Sequence, residues 1–583
     1  MPLFSPARKS TASFGFLLFS LLTPAIAGAD VKMPAIFGDH MVLQRDGSVP
    51  FWGTANPGET VTVSAGTDKG TATADKDGQW SVKLQKLATS TTPIDVTVAG
   101  KNTLTFHDVL VGDVWLCSGQ SNMEFGIHSF LPPDELAKAG DPQIRIFSVP
   151  KWVAPKPETD LAPAPANCPL LGTWQVATPD TLVKCGEWSG FSAVAYFYGS
   201  ELHNLTHQPV GLIASSWGGT RIHSWTSLDM LQTMPEKVSA AKSAANFRDH
   251  YDEIKNTYET VTAPQWQATL AKWQADNKAA LDAYPAQMSQ WKEAAKAAAA
   301  QHQSAPPRPP APKQPREPRD PITDNQASAA LYNGMIAPLI PFAIDGVIWY
   351  QGEANSNEPG VYRSELPALI RDWRNHWNQG DFPFLVVQLP NFMQRRPDPS
   401  ESTWAQMREI QYKVQAQLPK VGTAVTIDIG DPGVIHPSDK LDVGHRLALV
   451  AQHVAYGGTG VWTGPTFKSC AIQGNQIRIT FDNIGSGLTT GIAPQHFYEC
   501  QRPPQTPPAP ATDLEGFAIA GTDGKFVWAK AKIDGDAVVV SSDTVPNPVA
   551  VRYAWADNPA CNLYNKEGLP ASPFRTDNFA FGK

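Results

Sequence analysis

The order of apolar and polar positions divides the chain into stretches of different character. Residues 30–108 contain short segments in which apolar and polar residues alternate, separated by Gly, Asn-Pro and Asp-Gly, as in ETVTVSAG and QWSVKLQ. A period of two with such punctuation is typical of strands joined by tight turns. The pattern therefore predicts an antiparallel β module over residues 30–108.

From residue 109 the pattern changes to apolar strands that alternate with helical stretches. The segment DVLVGDVWLC is followed by the helical SAVAYFYGSELHNLT and then by a second apolar strand, PVGLIASSW. The same alternation returns with GVIWYQGEAN, FPFLVVQLP, AVTIDIGD and the helical LDVGHRLALVAQHVAYG. Because strands alternating with helices are typical of an α/β sheet, we predict one α/β domain over residues 109–457.

A third kind of stretch, at residues 228–330, interrupts this domain. Its first part is rich in Ala, Lys and Gln, with larger apolar residues at the spacing of one helical face. It ends in SAPPRPPAPKQPREPRDP, where prolines fix φ and remove backbone donors, so we expect an extended connector. Short strands with Gly, Asp and Pro turns predict a second β module at residues 458–583. We expect an accessory module of jelly-roll type, and the sequence leaves open whether the two β segments form it together.

The first 29 residues have the composition of an export signal. Arg8 and Lys9 precede FGFLLFSLL, and Pro24 and AIAGA follow it. We therefore expect residues 1–29 to be removed and the mature protein to be secreted or periplasmic. Loss of the two cations changes the formal net charge from −8 to −10, which disfavours nucleic acid and anionic membranes as partners. No later stretch approaches the roughly 20 apolar residues of a membrane span.

The cysteines bear on the redox compartment. All six follow the export signal, and disulfides persist under the oxidising conditions that an exported chain meets. Cys168 and Cys185 enclose a short loop and are predicted to form a disulfide, and two of Cys470, Cys500 and Cys561 are available for another. Cys-x-x-Cys and histidine-rich spacings are missing from the sequence, so no metal site is predicted.

Four apolar strands of the α/β pattern end in unusual polar residues, and in an α/β sheet functional residues collect at such strand exits. The exits are SGQSNM with Ser121, SSWGGTRIHSW with Gly218 and Gly219, WYQGEANSN with Gln351, Glu353 and Asn355, and DIGDPGVIHP with His436. Each has a structural explanation alone, such as a helix N-cap for the serine or a turn for the glycines. Their coincidence at four exits favours one shared site.

Together these four segments contain the catalytic groups that acyl transfer requires. The Ser121 hydroxyl is a weak nucleophile, which needs a base such as the His436 imidazole within hydrogen-bond reach. Gly218 or Gly219 can bring a main-chain N–H close to the reacting carbonyl because no side chain blocks the approach. The side-chain amides of Gln351 and Asn355 can donate to the same oxyanion. The exits therefore predict a serine nucleophile, a histidine base and an oxyanion hole.

The amino-acid sequences of these four segments also resemble the motifs of a known family. GQSNM, SSWGGT, WYQGE and IHP look like the four blocks of the sialate O-acetylesterase branch of the Ser-Gly-Asn-His hydrolase superfamily. The resemblance runs over roughly residues 109–455 without the insertion, and it extends to NGMIAPL and NLYNKEGLPASPFRTD. Bacterial acetylesterases that act on plant xyloglucan or xylan look similar.

The resemblance implies that Ser121 is the nucleophile, His436 the general base, and Gly218 and Gln351 contributors to the oxyanion hole. It implies a three-layer α/β/α sheet and catalysis without a metal or an organic cofactor. With an export signal and 18 tryptophans, we expect the chain to deacetylate xyloglucan or xylan, with sialate O-acetylesterase as the alternative. A carbohydrate-binding protein without catalysis is the competing class. A glycosidase would need an acidic partner for Glu353, and the blocks offer none.

The sequence leaves the third catalytic member open. Many esterases of this kind have an aspartate three residues before the histidine, where this chain has Gly433. Asp431, or alternatively Asp428, is the nearest carboxylate, and a Ser-His dyad oriented by a backbone carbonyl is the other interpretation. The residues that we expect to contact substrate are Gln120, Asn122, Arg221, Trp225 and Glu353.

Overall fold

The computed structural model describes residues 30–300, 305–492 and 513–579. The export signal predicted at residues 1–29 and Cys500, which was considered for a disulfide, lie outside the described residues.

Strands and helices occur in the order that the hydrophobic periods indicate. Within the described residues the strands are β1 (Val42–Gln44), β2 (Val49–Thr54), β3 (Thr60–Ala65), β4 (Asp68–Thr73), β5 (Gln79–Leu84), β6 (Ser90–Ala99), β7 (Thr103–Gly119), β8 (Asp141–Ser148), β9 (Trp174–Ala177), β10 (Val210–Ser216), β11 (Gly346–Tyr350), β12 (Phe384–Val387), β13 (Val421–Ala424), β14 (Thr466–Gln473), β15 (Gln476–Asp482), β16 (Leu488–Thr490), β17 (Phe517–Ala520), β18 (Val527–Trp528), β19 (Lys530–Asp534), β20 (Ala537–Ser541), β21 (Ala550–Tyr553), β22 (Leu563–Asn565) and β23 (Phe574–Arg575). The α-helices are α1 (Ser121–Glu124), α2 (Pro133–Leu136), α3 (Pro179–Lys184), α4 (Ala193–Thr206), α5 (Leu228–Thr233), α6 (Val238–Asp249), α7 (Tyr251–Thr257), α8 (Ala263–Asp276), α9 (Lys278–Ala300), α10 (Pro359–Trp377), α11 (Thr403–Lys413) and α12 (Lys440–Val454).

One mixed sheet of eleven strands organises the protein. Its main path is β13-β12-β11-β7-β10-β8-β9. Off this path, β1 and β6 each pair with β7, β3 pairs with β6, and β4 pairs with β3. The neighbours from β13 to β8 along this path pair in parallel, whereas β9 is antiparallel to β8. Parallel neighbours need long crossover connections, which the helices supply. The mixed α/β fold expected from the alternation of strands and helices is confirmed.

Alternate residues of the central strands enter two different cores. On β7, Val114 and Leu116 belong to a core that includes residues of α10 and α11, whereas Trp115 and Cys117 belong to a core that includes residues of α4 and α12. Successive side chains of a strand point to opposite faces, so both faces of β7 are buried. This double burial explains why its sequence is a continuous apolar run.

Strand β7 also crosses the position predicted as a domain boundary. Its first part pairs antiparallel with β6, and its second part pairs in parallel with β10 and β11. Within the first part Asp108 has a φ of 57°, and its carboxylate oxygens accept hydrogen bonds from Arg145 at 2.6 and 3.1 Å. The N-terminal β segment and the α/β sheet therefore share one strand.

The insertion at residues 228–330 contains α5 to α9, and its described proline-rich residues 305–320 have no helix or strand. The proline-rich residues fold back onto α9, where the Trp291 indole N–H donates to the Pro306 carbonyl at 2.8 Å. After residue 458, β14 to β23 form the additional antiparallel sheets that the turn pattern predicts. These strands and those of residues 30–108 belong to different sheets.

The described cysteines are all free thiols, so the disulfide predicted between Cys168 and Cys185 is not present. The Cys185 sulfur lies 3.6 Å from the Ser148 hydroxyl, and burial raises the pKa of its thiol to about 11. Among the described residues, no helix is both long and apolar enough to cross a membrane, and no group of three or more His, Cys, Asp or Glu is placed to hold a metal ion.

Candidate active site

Ser121 stands at the first position of α1, directly beyond the end of β7. The turn between them requires Gly119, whose φ is 142° and where a Cβ would lie 2.1 Å from the Tyr350 carbonyl oxygen. Only 7% of Ser121 is exposed. The first hydrogen bond of α1 runs from the Met123 N–H to the Gln120 carbonyl at 2.9 Å. The Ser121 N–H is therefore one of the first-turn donors that have no acceptor within the helix.

Gly218 lies beside the nucleophile. Because β10 runs parallel to β7, Ser216 is in register with Gly119 and the two strand exits meet. A Cβ built on Gly218 would lie 3.4 Å from the Ser121 Cβ. A side chain at this position would crowd the serine, whereas Gly219 is exposed and has open space around it.

The main-chain N–H of Gly218 is already bonded to a carboxylate. It donates to Oε2 of Glu124 at 2.6 Å, while Oε1 of Glu124 is paired with Lys151 at 2.6 Å. Lys151 also pairs with Glu187 at 2.8 Å. Only 11% of the Glu124 side chain is exposed, so water screens this contact weakly. The N–H predicted to serve an oxyanion is thus occupied by a residue that the sequence analysis did not single out.

His436 shares its neighbours with the nucleophile. Its ring stacks on Phe125, with ring centres 5.5 Å apart, and meets the edge of Trp188 at 5.4 Å. Phe125 directly follows α1, and Trp188 would lie 3.6 Å from a Cβ on Gly218. The structure therefore brings the serine, glycine and histidine exits together around these two aromatic rings.

The surroundings of His436 favour its neutral form. Burial lowers the pKa of the imidazole, and the positive charge of Lys440 lowers it further. A neutral imidazole can accept the proton that a serine hydroxyl loses on attack. The electrostatics of the site therefore suit a general base at neutral pH.

A buried polar network ties the serine block to the histidine block. The Asn122 amide nitrogen donates to Glu353 at 2.5 Å and to the Ile435 carbonyl at 3.0 Å. The Asn122 amide oxygen accepts from the Lys440 ammonium at 2.5 Å. Asn122 follows the nucleophile and Ile435 precedes His436, so this one amide fixes the spacing of the two blocks. Of the two residues predicted to contact substrate here, Asn122 has protein partners for its amide nitrogen and its amide oxygen, whereas Oε2 of Glu353 has no partner among the described residues.

Burial perturbs both ionisable members of this network. It raises the pKa of Glu353, opposed mainly by the hydrogen bond from Asn122. It lowers the pKa of Lys440 to about 7, against the attraction of the Glu353 carboxylate. Charged forms are costly in a low-dielectric interior, which is why both groups shift toward neutrality. The network can therefore change its charge near neutral pH.

The two amides of the WYQGE exit differ in what they have left to donate. Gln351 donates to the Thr220 carbonyl at 3.1 Å and to the Asn355 oxygen at 2.8 Å, which uses both of its N–H groups. The Asn355 oxygen also accepts from the Ile222 N–H at 3.1 Å. The buried Asn355 amide nitrogen has no partner among the described residues. An unpaired buried donor costs about 1–3 kcal/mol, and of the two amides only Asn355 keeps such an unused donor.

Both aspartates considered as the third catalytic member have other partners. Asp431 accepts hydrogen bonds from the N–H groups of Gly433 and Val434 in its own loop, at 2.6 and 3.1 Å. Asp428 forms a bidentate pair with Arg446 at 2.6 and 2.8 Å. Among the hydrogen bonds of the described residues, none joins either carboxylate to His436. The Ser-His-Asp triad and the Ser-His dyad therefore both stay predictions.

Trp225, predicted to contact substrate, lies in the core. It is 0% exposed, and its indole N–H donates to the Thr220 hydroxyl at 2.9 Å. Its ring packs edge-on against Trp349 at 6.3 Å. No surface of Trp225 is left for stacking on a sugar, because the neighbouring aromatic residues cover it.

Gln120 and Arg221 complete the predicted substrate contacts. The Gln120 side-chain oxygen accepts from the N–H groups of Gly352 and Ala354 at 3.4 and 3.2 Å, so it joins the serine exit to the WYQGE exit. Arg221 keeps 38% of its side chain exposed and lies 3.4 Å from Glu358. Of the residues predicted to contact substrate, Arg221 has the most accessible surface.

Sequence reasoning missed Glu124, Lys440 and Trp188. Glu124 follows Ser121 by three positions and Lys440 follows His436 by four. A search for charged residues within one helical turn of each block would have found both. Trp188 stands far from every block in the sequence, and no local signal identifies it.

Comparisons with known proteins indicate one kind of enzyme. Residues 321–452 match the family described as carbohydrate esterase, sialic acid-specific acetylesterase (SASA). A crystal structure of a carbohydrate acetylesterase from Xanthomonas citri is 35% identical, with a TM-score of 0.70, and the match covers 94% of this chain and 100% of that one. The sialate O-acetylesterase of Mus musculus is 29% identical over 94% of both chains, and that of Homo sapiens is 28% identical over 96% of both.

Proposed function

Because the chain belongs to the sialate O-acetylesterase-like carbohydrate esterases and is a carboxylic ester hydrolase, we propose that it is exported and removes O-acetyl groups from a plant polysaccharide, xyloglucan or xylan. What supports the chemistry is that the His436 ring packs on Phe125 and Trp188, while Gly218 lies close both to Trp188 and to Ser121. The two cores on either side of β7 support the three-layer arrangement that this assignment implies.

In the proposed cycle the Ser121 hydroxyl attacks the acetyl carbonyl while His436 takes its proton. The resulting imidazolium gives that proton to the sugar oxygen as the ester bond breaks, leaving an acetyl group on the serine. His436 then takes a proton from the water that attacks the acetyl-serine, and the imidazolium returns this proton to the Ser121 oxygen as acetate leaves. The lowered pKa of His436 keeps it unprotonated before each attack.

The oxyanion of each tetrahedral intermediate needs donors that are not already in use. We assign the buried amide nitrogen of Asn355 and the N–H of Ser121 to this role. The N–H of Gly218 can join them only when the Glu124 carboxylate leaves it, and Lys151 is placed to hold that carboxylate. Gln351 then acts by orienting Asn355 through the 2.8 Å hydrogen bond between their side chains.

The choice of a polysaccharide over a sialic acid rests on charge. A sialic acid carries a carboxylate, and the partly exposed Arg221, which could meet it, faces Glu358 at 3.4 Å. A neutral polysaccharide requires no such cation. The alternative, sialate O-acetylesterase, is favoured by the family that matches residues 321–452 and by the mammalian relatives.

Acetate release from acetylated xyloglucan, acetylated xylan and O-acetyl sialic acid tests the proposal, with the Ser121→Ala variant as the matched control. We expect the wild type to prefer a polysaccharide and the variant to be inactive on all three. Preference for the sialic acid would overturn the substrate assignment and leave the mechanism standing. Equal acetate release by the two proteins would contradict the mechanism, and no release by either would favour a carbohydrate-binding protein.

A further inference from the structure

A second cleft lies on the C-terminal β region, outside the four strand exits. It has a volume of about 320 Å³ and lies between the loop at residues 397–401 and the sheet of β17, β18, β21 and β23. Polar and aromatic side chains line it, among them Ser400, Glu401, Lys525, Phe526, Trp528 and Arg552. A cleft of this size, part apolar and part polar, is in the range of small-ligand sites.

Trp528 gives the cleft an exposed aromatic face. It is 42% exposed, and among the described residues it is the only Trp, Tyr or Phe that is exposed to this degree. Its indole N–H donates to the Pro397 carbonyl at 2.6 Å, which holds the ring against the loop. A ring that is already fixed loses little conformational entropy when a ligand stacks on it. Such a side chain is better suited to binding than to the core.

The polar side of the cleft is a fixed ion pair. Arg552 is bound to Asp577 at 2.8 and 3.0 Å and to Glu401 at 2.8 Å. Its guanidinium also lies 4.1 Å from the centre of the Phe526 ring. A guanidinium has five N–H groups, so two of them are not used in these three hydrogen bonds. Of the Glu401 side chain, 39% is exposed. The cleft therefore presents a donor and an acceptor whose charges are already compensated.

The loop on one side of the cleft is connected to the histidine exit. The Asn391 side-chain oxygen accepts from the Gly430 N–H at 2.7 Å, and Phe392 forms a β-bridge with Asp431. Residues 391–401 thus run from the loop that carries His436 to the wall of the cleft.

We propose that this cleft binds a neutral sugar unit of the polysaccharide, separate from the unit that carries the acetyl ester. The C–H face of a pyranose ring stacks on Trp528, and its hydroxyl groups donate to Glu401 and accept from Arg552. At the Arg552 end of the cleft the paired charges favour a neutral ring over an anionic one, because an added anion would compete with Glu401 and Asp577 for the same guanidinium. This inference rests on the proposed polysaccharide substrate.

Substitution of Trp528 tests binding of the polymer separately from hydrolysis of the ester. We expect Trp528→Ala to raise the KM for acetylated polysaccharide about 2- to 10-fold, which corresponds to the 0.5–1.5 kcal/mol typical of aromatic contacts. The kcat/KM for p-nitrophenyl acetate stays unchanged and also reports that the variant is folded. Trp528→Phe keeps most of the affinity for the polysaccharide. The control Ile472→Ala truncates another exposed apolar residue (57%) and leaves the kinetic constants for both substrates unchanged.

Direct binding distinguishes failure of the cleft from failure of the proposed function. Affinity electrophoresis in gels with deacetylated xyloglucan or xylan is carried out with Ser121→Ala alone and with Trp528→Ala added. Retardation that depends on Trp528 supports the cleft, and if the wild type then releases no acetate from the acetylated forms of the same polymers, it is the proposed function that fails. Equal mobility of the two proteins overturns the cleft, whatever the esterase activity.

Discussion

Replacement of Lys440 tests whether the buried network sets the protonation of the catalytic base. Lys440 is 1% exposed, donates to Asn122 at 2.5 Å and lowers the pKa of His436 through its charge. Lys440→Met removes the charge and the donor together. Lys440→Gln removes the charge and keeps an N–H donor for Asn122. The two variants therefore separate the electrostatic effect from the hydrogen bond.

The sign of the pH effect follows from the role of the base. Activity is lost as pH falls through the pKa of His436, because the protonated imidazole cannot accept a proton. That pKa is lowered mainly by burial and secondly by Lys440. The pKa of Lys440 is about 7, so the lysine is charged over the acid limb of the profile. Both variants should therefore move the acid limb of kcat/KM to higher pH, though not above the ordinary histidine value of about 6.5.

The stability effect should differ between the two variants. Lys440→Met leaves the Asn122 oxygen buried without its donor, and this costs about 1–3 kcal/mol of unfolding free energy. Lys440→Gln should lose less. The assays are the pH–rate profile on p-nitrophenyl acetate and urea unfolding, with Lys468→Met as the control, since Lys468 is 59% exposed and paired at the surface. Identical acid limbs in the wild type and both variants would refute the electrostatic argument.

Three further substitutions test single contacts of the site. Asn355→Ala should lower kcat about 10²–10³-fold in steady-state kinetics, and it should also lower the unfolding free energy in urea, because the Gln351 amide and the Ile222 N–H lose their acceptor; retained kcat would remove Asn355 from the oxyanion hole. Glu124→Gln weakens the acceptor that occupies the Gly218 N–H by about 1 kcal/mol and should raise kcat/KM for p-nitrophenyl acetate about fivefold, whereas a fall would mean that Glu124 positions the glycine. Asp428→Asn should reduce the unfolding free energy by about 3–5 kcal/mol in urea titrations, because Arg446 loses a buried partner, and an unchanged midpoint would contradict that pairing as a source of stability.

The sequence was most informative where function requires an unusual residue in a regular element. Ser121 and Gly218 interrupt apolar strand patterns, and parallel strands bring their exits to one edge, so their meeting could be predicted. The contact of Asn122 with Ile435 could not, because 313 positions separate them and only the completed sheet sets their distance. Likewise, the donor left on Asn355 depends on which amide Gln351 has already engaged.

Burial and boundaries were harder to read from the pattern. Trp225 stands beside a functional block in the sequence, but whether it faces substrate or core depends on the packing of Trp349 and of α10 against it. The change of pattern at residue 109 marks where β7 passes from one set of neighbours to another, and a period of two on one side does not reveal that the strand continues. The spacing of Cys168 and Cys185 allows a loop and says nothing about the direction of their side chains.

The most direct test of the account is whether the reactivity of Ser121 depends on His436. A fluorophosphonate reacts only with an activated serine, and peptide mass spectrometry locates the labelled residue. The account predicts labelling at Ser121 in the wild type and a labelling rate at least about 10²-fold lower in His436→Ala, since a general base contributes 10²–10⁴-fold. Labelling at another residue, or an undiminished rate in His436→Ala, would contradict it.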